Sequence, residues 1–175
     1  MPFAVTHILV PVILIDLFRD YVTKHKKRIT LLTVLLAGIG GLLPDIDFLI
    51  SWFLSLFGYS AGVLEHRVLT HAPVFGLIFL IPFIYFWYTK KHKMSFYFLA
   101  LSFGIFSHIF LDFFISNGNS GVMLLWPFSS KVFAFPLVVW LSDKAMLTLY
   151  SAIDAILLLS WLVHEEIKHK IKDFI

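Results

Sequence analysis

The stretch Ser107-His108-Ile109-Phe110-Leu111-Asp112 places an imidazole and a carboxylate four residues apart near the end of the apolar run Ser95–Ser116, which is long enough to cross a bilayer. On a helix the two side chains stand one above the other, roughly 5–6 Å between Cβ atoms. Ala100 and Gly104 continue the same stripe, and small residues let a neighbouring membrane helix approach closely. The polar pair therefore points into a helix bundle and not into lipid. Ionisable groups at membrane depth mark functional sites or interhelical hydrogen bonds, and on this stretch alone both readings stay open.

The whole chain has that apolar character. Hydrophobic residues make up 59% of its 175 residues and charged ones only 14%, and the mean hydropathy is +0.89. The expectation is an all-α, polytopic integral membrane protein, a single transmembrane domain over residues 1–175 with about 4–5 transmembrane helices and one re-entrant or interfacial helix. The formal charge of +3 points to no nucleic acid, because the basic residues sit in short clusters between apolar runs, where they report topology. With no cysteine in the chain, any metal must use histidine and carboxylate ligands.

Six apolar pieces follow in order. The first, Phe3–Val22, carries His7, Asp16, Arg19 and Asp20 and is short of a clean span. The second runs from Ile29 to Leu43, where Gly38, Gly40 and Gly41 loosen the helix and Pro44 ends it. That break delivers Asp45-Ile46-Asp47, and Phe48–Gly58 is then too short to span alone. The polar island Glu65–His71 precedes Ala72–Tyr88, with Thr70 placed as an N-cap. Ser95–Ser116, a Gly/Asn loop and Lys144–Val163 complete the chain.

Lys24–Arg28, Lys90–Lys93 and Lys168–Lys172 follow the first, third and fifth spans, so one orientation puts all three clusters in the cytoplasm. With Arg19, that accounts for eleven of the fourteen Lys and Arg residues. The same orientation carries His7, Asp45, Asp47, His66 and His71 to the extracytoplasmic ends of their segments, with His108 about 12 Å below the end of its helix at 1.5 Å per residue. The site is expected as a recessed cup opening outward. His25, His92, His164 and His169 sit among lysines at the other face and are read as solvated. Asp16 is expected to snorkel with Arg19 at the inner boundary, and Asp154 to bond to a neighbouring helix or to be protonated.

Histidine and aspartate without cysteine suit zinc or another divalent metal, and an Asp-x-Asp can bridge a pair of ions. Each motif alone has a plainer explanation, as a helix cap or a structural histidine; their convergence favours a metal site of one or two ions.

Leu42-Leu43-Pro44-Asp45-Ile46-Asp47, His66-Arg67-x-x-Thr70-His71 and Ser107-His108-x-x-x-Asp112, followed by Leu125-Trp126-Pro127 and preceded by Thr6-His7, resemble the YdjM-type family of membrane-bound metal-dependent hydrolases. The resemblance covers about residues 1–128. That family is in turn similar to the zinc-dependent phospholipase C and single-strand nuclease superfamily, which implies that His108, Asp112 and His71 hold one metal, that His7 joins Asp112 at a second, and that Asp45 or Asp47 bridges. Arg67 is then available to a phosphate oxygen as a bidentate donor, or to an ion pair with Glu65 or Asp47. The expectation is a metal-dependent hydrolase of the cell membrane, cleaving a phosphoester of a phospholipid-like substrate, with Arg67, Asp45 and Asp47 in catalytic roles. The rival is a non-catalytic module in which the metal locks the helices or is itself the cargo.

Overall fold

In the computed structural model, residues 4–23, 29–60, 62, 67–115, 121–135, 137 and 141–169 are described. The elements are α1 (Ala4–Leu17) with a π-helical turn (Phe18–Val22), α2 (Leu31–Leu42) with a 3-10 turn (Leu43–Asp45), α3 (Ile46–Ser55), α4 (Pro73–Tyr88), α5 (His92–Ile115) and α6 (Asp143–His169). The architecture is all-helical. Leu31–Ser55, His92–Phe114 and Lys144–Lys168 are each long and apolar enough to cross a membrane, and Pro73–Tyr88 is a shorter apolar helix.

The bundle is apolar outside and polar within. Leu35, Ile39, Leu77, Ile81, Phe110, Ile156 and Leu159 are all exposed, whereas His7, Asp47, His71, His108 and Asp112 are buried. With lipid on the outside there is no hydrophobic drive to bring helices together, so close packing and interhelical hydrogen bonds must do it. The small residues supply the close packing. A Cβ on Gly104 of α5 would collide with the carbonyl of Ala37 and the backbone of Gly40 and Gly41 on α2, and one on Gly41 would collide with the His7 carbonyl of α1. The α2 glycines, expected to loosen that helix, are where α1 and α5 press against it. Pro11 in α1 lacks an N–H, which leaves the His7 carbonyl without its usual helical partner four residues on.

Hydrogen bonds supply the rest. Ser102 donates to the Gly76 carbonyl at 2.9 Å and Ser95 to the Phe83 carbonyl at 3.1 Å, zipping α5 against α4 in opposite directions. Thr6 donates to Asp154, giving that mid-helix carboxylate the neighbouring-helix partner expected of it. Asp16 pairs with Arg19 at 2.7 Å. His164, expected to be solvated, lies 3.2 Å from Asp20 and 3.6 Å from Asp16. The reason is that α6 continues to His169 and does not stop at Val163, so its last turns lie against the π-helical turn. His92 likewise begins α5, its ring edge-on to Trp87 at 4.9 Å.

These contacts fix the directions of the helices. Thr6 meets Asp154 and Asp20 meets His164, so α1 and α6 run the same way. His7 meets Gly41 and Val12 meets Gly38, so α2 runs opposite to α1. Gly104 meets Ala37 and His108 meets Gly41, so α5 runs with α2. Pro44, expected to end a helix, occupies the 3-10 turn, and Leu31–Ser55 stays helical through it. At the start of that turn its missing N–H leaves no interior hydrogen bond unmade. The start of α1, the end of α2 and the upper part of α5 therefore meet at one end of the bundle.

Candidate metal centre

The centre is assembled from five places in the chain. Gly41 orients the first histidine: the His108 Nδ1–H donates to the Gly41 carbonyl at 2.7 Å, which leaves Nε2 with its lone pair facing inward. A second histidine is oriented in the same manner, because His71 Nδ1 faces Asp47 Oδ2 at 3.1 Å. A carboxylate behind a histidine fixes its tautomer and raises the basicity of the nitrogen in front. The two Nε2 atoms lie 3.2 Å apart. His7 stacks on His108 with ring centroids 3.9 Å apart, and its Nε2 is 3.5 Å from Asp112 Oδ1. The other Asp112 oxygen is 3.6 Å from His71 Nε2 and 3.7 Å from His108 Nε2. Asp45 Oδ1 closes the group at 3.5 Å from His71 Nε2 and 3.6 Å from His108 Nε2.

The 3.5–3.7 Å separations to Asp45 and Asp112 are too long for good hydrogen bonds and suit atoms arranged around a common ion. Nitrogen and oxygen ligands sit ~2.0–2.2 Å from zinc, which puts neighbouring ligands of a tetrahedral site ~3.3–3.6 Å apart. Two groupings here bring one ligand atom from each residue within 4.8 Å of one another: His7, His108 and Asp112, and Asp45, His71 and His108. His7 Nδ1 and Nε2 and both Asp112 oxygens are buried without a hydrogen-bond partner among the described residues, an expensive arrangement unless something else satisfies them. Charge points the same way. Three carboxylates, Asp45, Asp47 and Asp112, gather here, and among the described residues the Arg67 Nη2 lies 3.8 Å from Asp112. The residues present therefore fit a divalent cation. Burial acts to lower the His71 pKa, but the carboxylates of Asp45, Asp47 and Asp112 outweigh it and hold the group above its ordinary value.

Asp45 and Asp47 separate by role. Asp47 lies behind His71, accepting from the Thr70 hydroxyl and, at 3.0 Å, from the Arg67 N–H; Asp45 is the one of the two that faces the cluster. Positions two apart on a helical chain point in different directions, which is the signal that would have separated them in the sequence. Thr70 is not the cap of α4, whose N-cap is Ala72; its hydroxyl holds Asp47. Arg67 has φ +72°, a left-handed conformation that costs a residue with a Cβ roughly 1–2 kcal/mol. His66, expected as a ligand, lies outside the described residues. A third grouping, Asp16, Asp20 and His164, lies at the opposite end of α1, and there Arg19 already pairs with both carboxylates.

If Asp47 orients His71, Asp47→Asn weakens metal binding by about 10- to 100-fold, the usual effect of losing such a partner, without abolishing it. Calorimetric titration with zinc checks this, and an unchanged affinity would remove Asp47 from the site.

Residues 1–170 match the family described as YdjM inner membrane protein. No curated protein and no solved structure matches the chain.

Proposed function

The chain belongs to the YdjM inner membrane protein family, and from that premise we propose that it is a membrane-bound, metal-dependent hydrolase that cleaves phosphoesters at the His/Asp cluster. One observation carries the reading. His7, His71, His108 and Asp112 are essentially inaccessible, as in a closed structural site, but the Asp45 side chain keeps 30% of its surface exposed. A position held by Asp45 is reachable from outside the bundle. Arg67, its Nη2 3.8 Å from Asp112, is 14% exposed, and its Nε and Nη2 are buried without a hydrogen-bond partner among the described residues. A planar cationic fork with donors to spare next to an accessible cluster suits a phosphate oxygen pair.

When bound, a divalent ion supplies Lewis-acid activation of water and of a phosphoryl oxygen. The chain's own residues do the rest. Gly41 and Asp47 aim His108 and His71 with Nε2 toward the cluster, Asp45 lines its accessible side, and Arg67 orients the phosphoryl group and offsets its charge. The multi-pass orientation belongs to the same proposal: with the three basic clusters in the cytoplasm, the cluster end of the bundle faces the extracytoplasmic side. Reporters after Lys93 and after residue 175 would then both read cytoplasm and one at residues 117–121 would read the outside; opposite readings at 93 and 175 would refute it.

Arg67→Lys tests the enzyme against the metal-locked scaffold. Lysine keeps the charge and loses the fork, so metal content and helicity should stay while phosphoesterase turnover falls about 10- to 1,000-fold, the equivalent of about 1.4–4 kcal/mol in the transition state. A scaffold has no turnover to lose. Loss of metal in this variant would assign Arg67 to the ion pair with Asp112 instead.

A further inference from the structure

The accessible side of the cluster opens onto an apolar groove. Asp45 is one wall of a cavity of about 370 Å³, and the rest of its lining is Ala4, Ile39, Leu42, Leu43, Ile46 and Leu49. Ile39, Leu42, Ile46 and Leu49 are each 42–60% exposed on the outer surface of the run Leu31–Ser55, so the groove is cut into a surface that faces lipid. Its volume falls in the range of small-molecule sites, ~300–1,000 Å³. A water-soluble phosphoester gains nothing from such walls, and its charge would be desolvated beside them. A molecule with one charged end and one apolar end matches both halves: the charged end meets Asp45, Arg67 and the buried histidines, and the apolar end meets the α2–α3 surface.

We propose that the substrate is a membrane amphiphile, a phosphoester headgroup on a long hydrocarbon chain, whose chain lies in the groove along Leu42, Ile46 and Leu49 while the headgroup reaches the cluster past Asp45. The proposal rests on the hydrolase reading and adds the substrate class to it. Moving a chain from bilayer into an apolar groove yields little free energy, because lipid tails are as apolar as leucine. The groove therefore positions the chain and draws the phosphoester alongside Asp45, and its effect is on which substrates are turned over.

Two alkyl probes of equal length test this in lipid nanodiscs with zinc-loaded protein, each carrying a photoactivatable diazirine in the chain, one ending in a non-hydrolysable phosphonate and the other in an alcohol. The phosphonate should label Ile39, Leu42, Ile46 and Leu49 about tenfold more than the alcohol, the factor one charge-assisted contact supplies, while both label Ile78 and Ile81 of α4 equally. Equal labelling of the groove by the two probes overturns the proposal. Turnover of long- and short-chain phosphate monoesters is measured alongside. Equal groove labelling together with chain-independent turnover removes the amphiphile and leaves the hydrolase; phosphonate-selective labelling with no turnover of any phosphoester supports the groove and removes the hydrolase.

Discussion

Asp112→Asn is expected to strip the protein of metal with little change in helical content. Asp112 borders both histidine pairs, one oxygen 3.5 Å from His7 and the other within 3.7 Å of His71 and His108. The amide keeps the shape of the carboxylate and loses its charge and one acceptor. Loss should exceed the ~10- to 100-fold typical of an outer partner, and phosphoester turnover should fall with it. His108→Ala should do the same, whereas His92→Ala, at the far end of α5, should keep its metal. Elemental analysis of the three purified variants checks this. Equal metal in all three would leave the cluster as a set of interhelical contacts.

The second large effect is expected at Gly41. A methyl group there meets the His7 carbonyl, a backbone atom that cannot rotate away, so Gly41→Ala must push α1 from α2. Overpacking of this kind costs typically ~1–3 kcal/mol, and the same shift moves the carbonyl that aims His108. The variant should lose its monodisperse form at a lower temperature in detergent and bind zinc more weakly at any temperature. Wild-type behaviour in both measurements would show that α1 does not press on α2 at this point.

Much of this arrangement could be read from the residues. The stripe Ala100–Gly104–His108–Asp112 follows from helical periodicity alone, and the structure packs it against α2. His7, Asp45, His71 and Asp112 can be grouped from the alternation of apolar segments, and the directions of the helices bring them to one end of the bundle. What stayed hidden depends on packing at atomic distance. Gly41 reads as a weak point in a helix until a neighbouring carbonyl is seen against it. The division between Asp45 and Asp47 turns on a 3-10 turn that Pro44 concealed, since proline signals a break more strongly than a brief tightening. His164 looked like one more residue in a basic tail because the length of α6 is not marked by any stop signal before it. The lateral opening at Asp45 is a property of which surface of α2 and α3 is left uncovered among the described residues, and no local pattern encodes that.

The stacking of His7 on His108, beside Asp112, has a consequence for how the protein is made. His7, on α1, is made before the groups it stacks on and faces, which arrive with α5 after α2, α3 and α4 have followed. Until α5 is threaded into place beside α2, His7 and Asp45 are separate weak ligands on a growing chain, neither able to hold a cation alone. On the proposed metal reading, loading belongs to the end of assembly, and an ion arriving then would act as a rivet through α1 and α5. A nascent chain cut short before Asp112 should neither retain zinc nor resist extraction and proteolysis as the full-length protein does, which makes metal retention a timestamp for completed insertion.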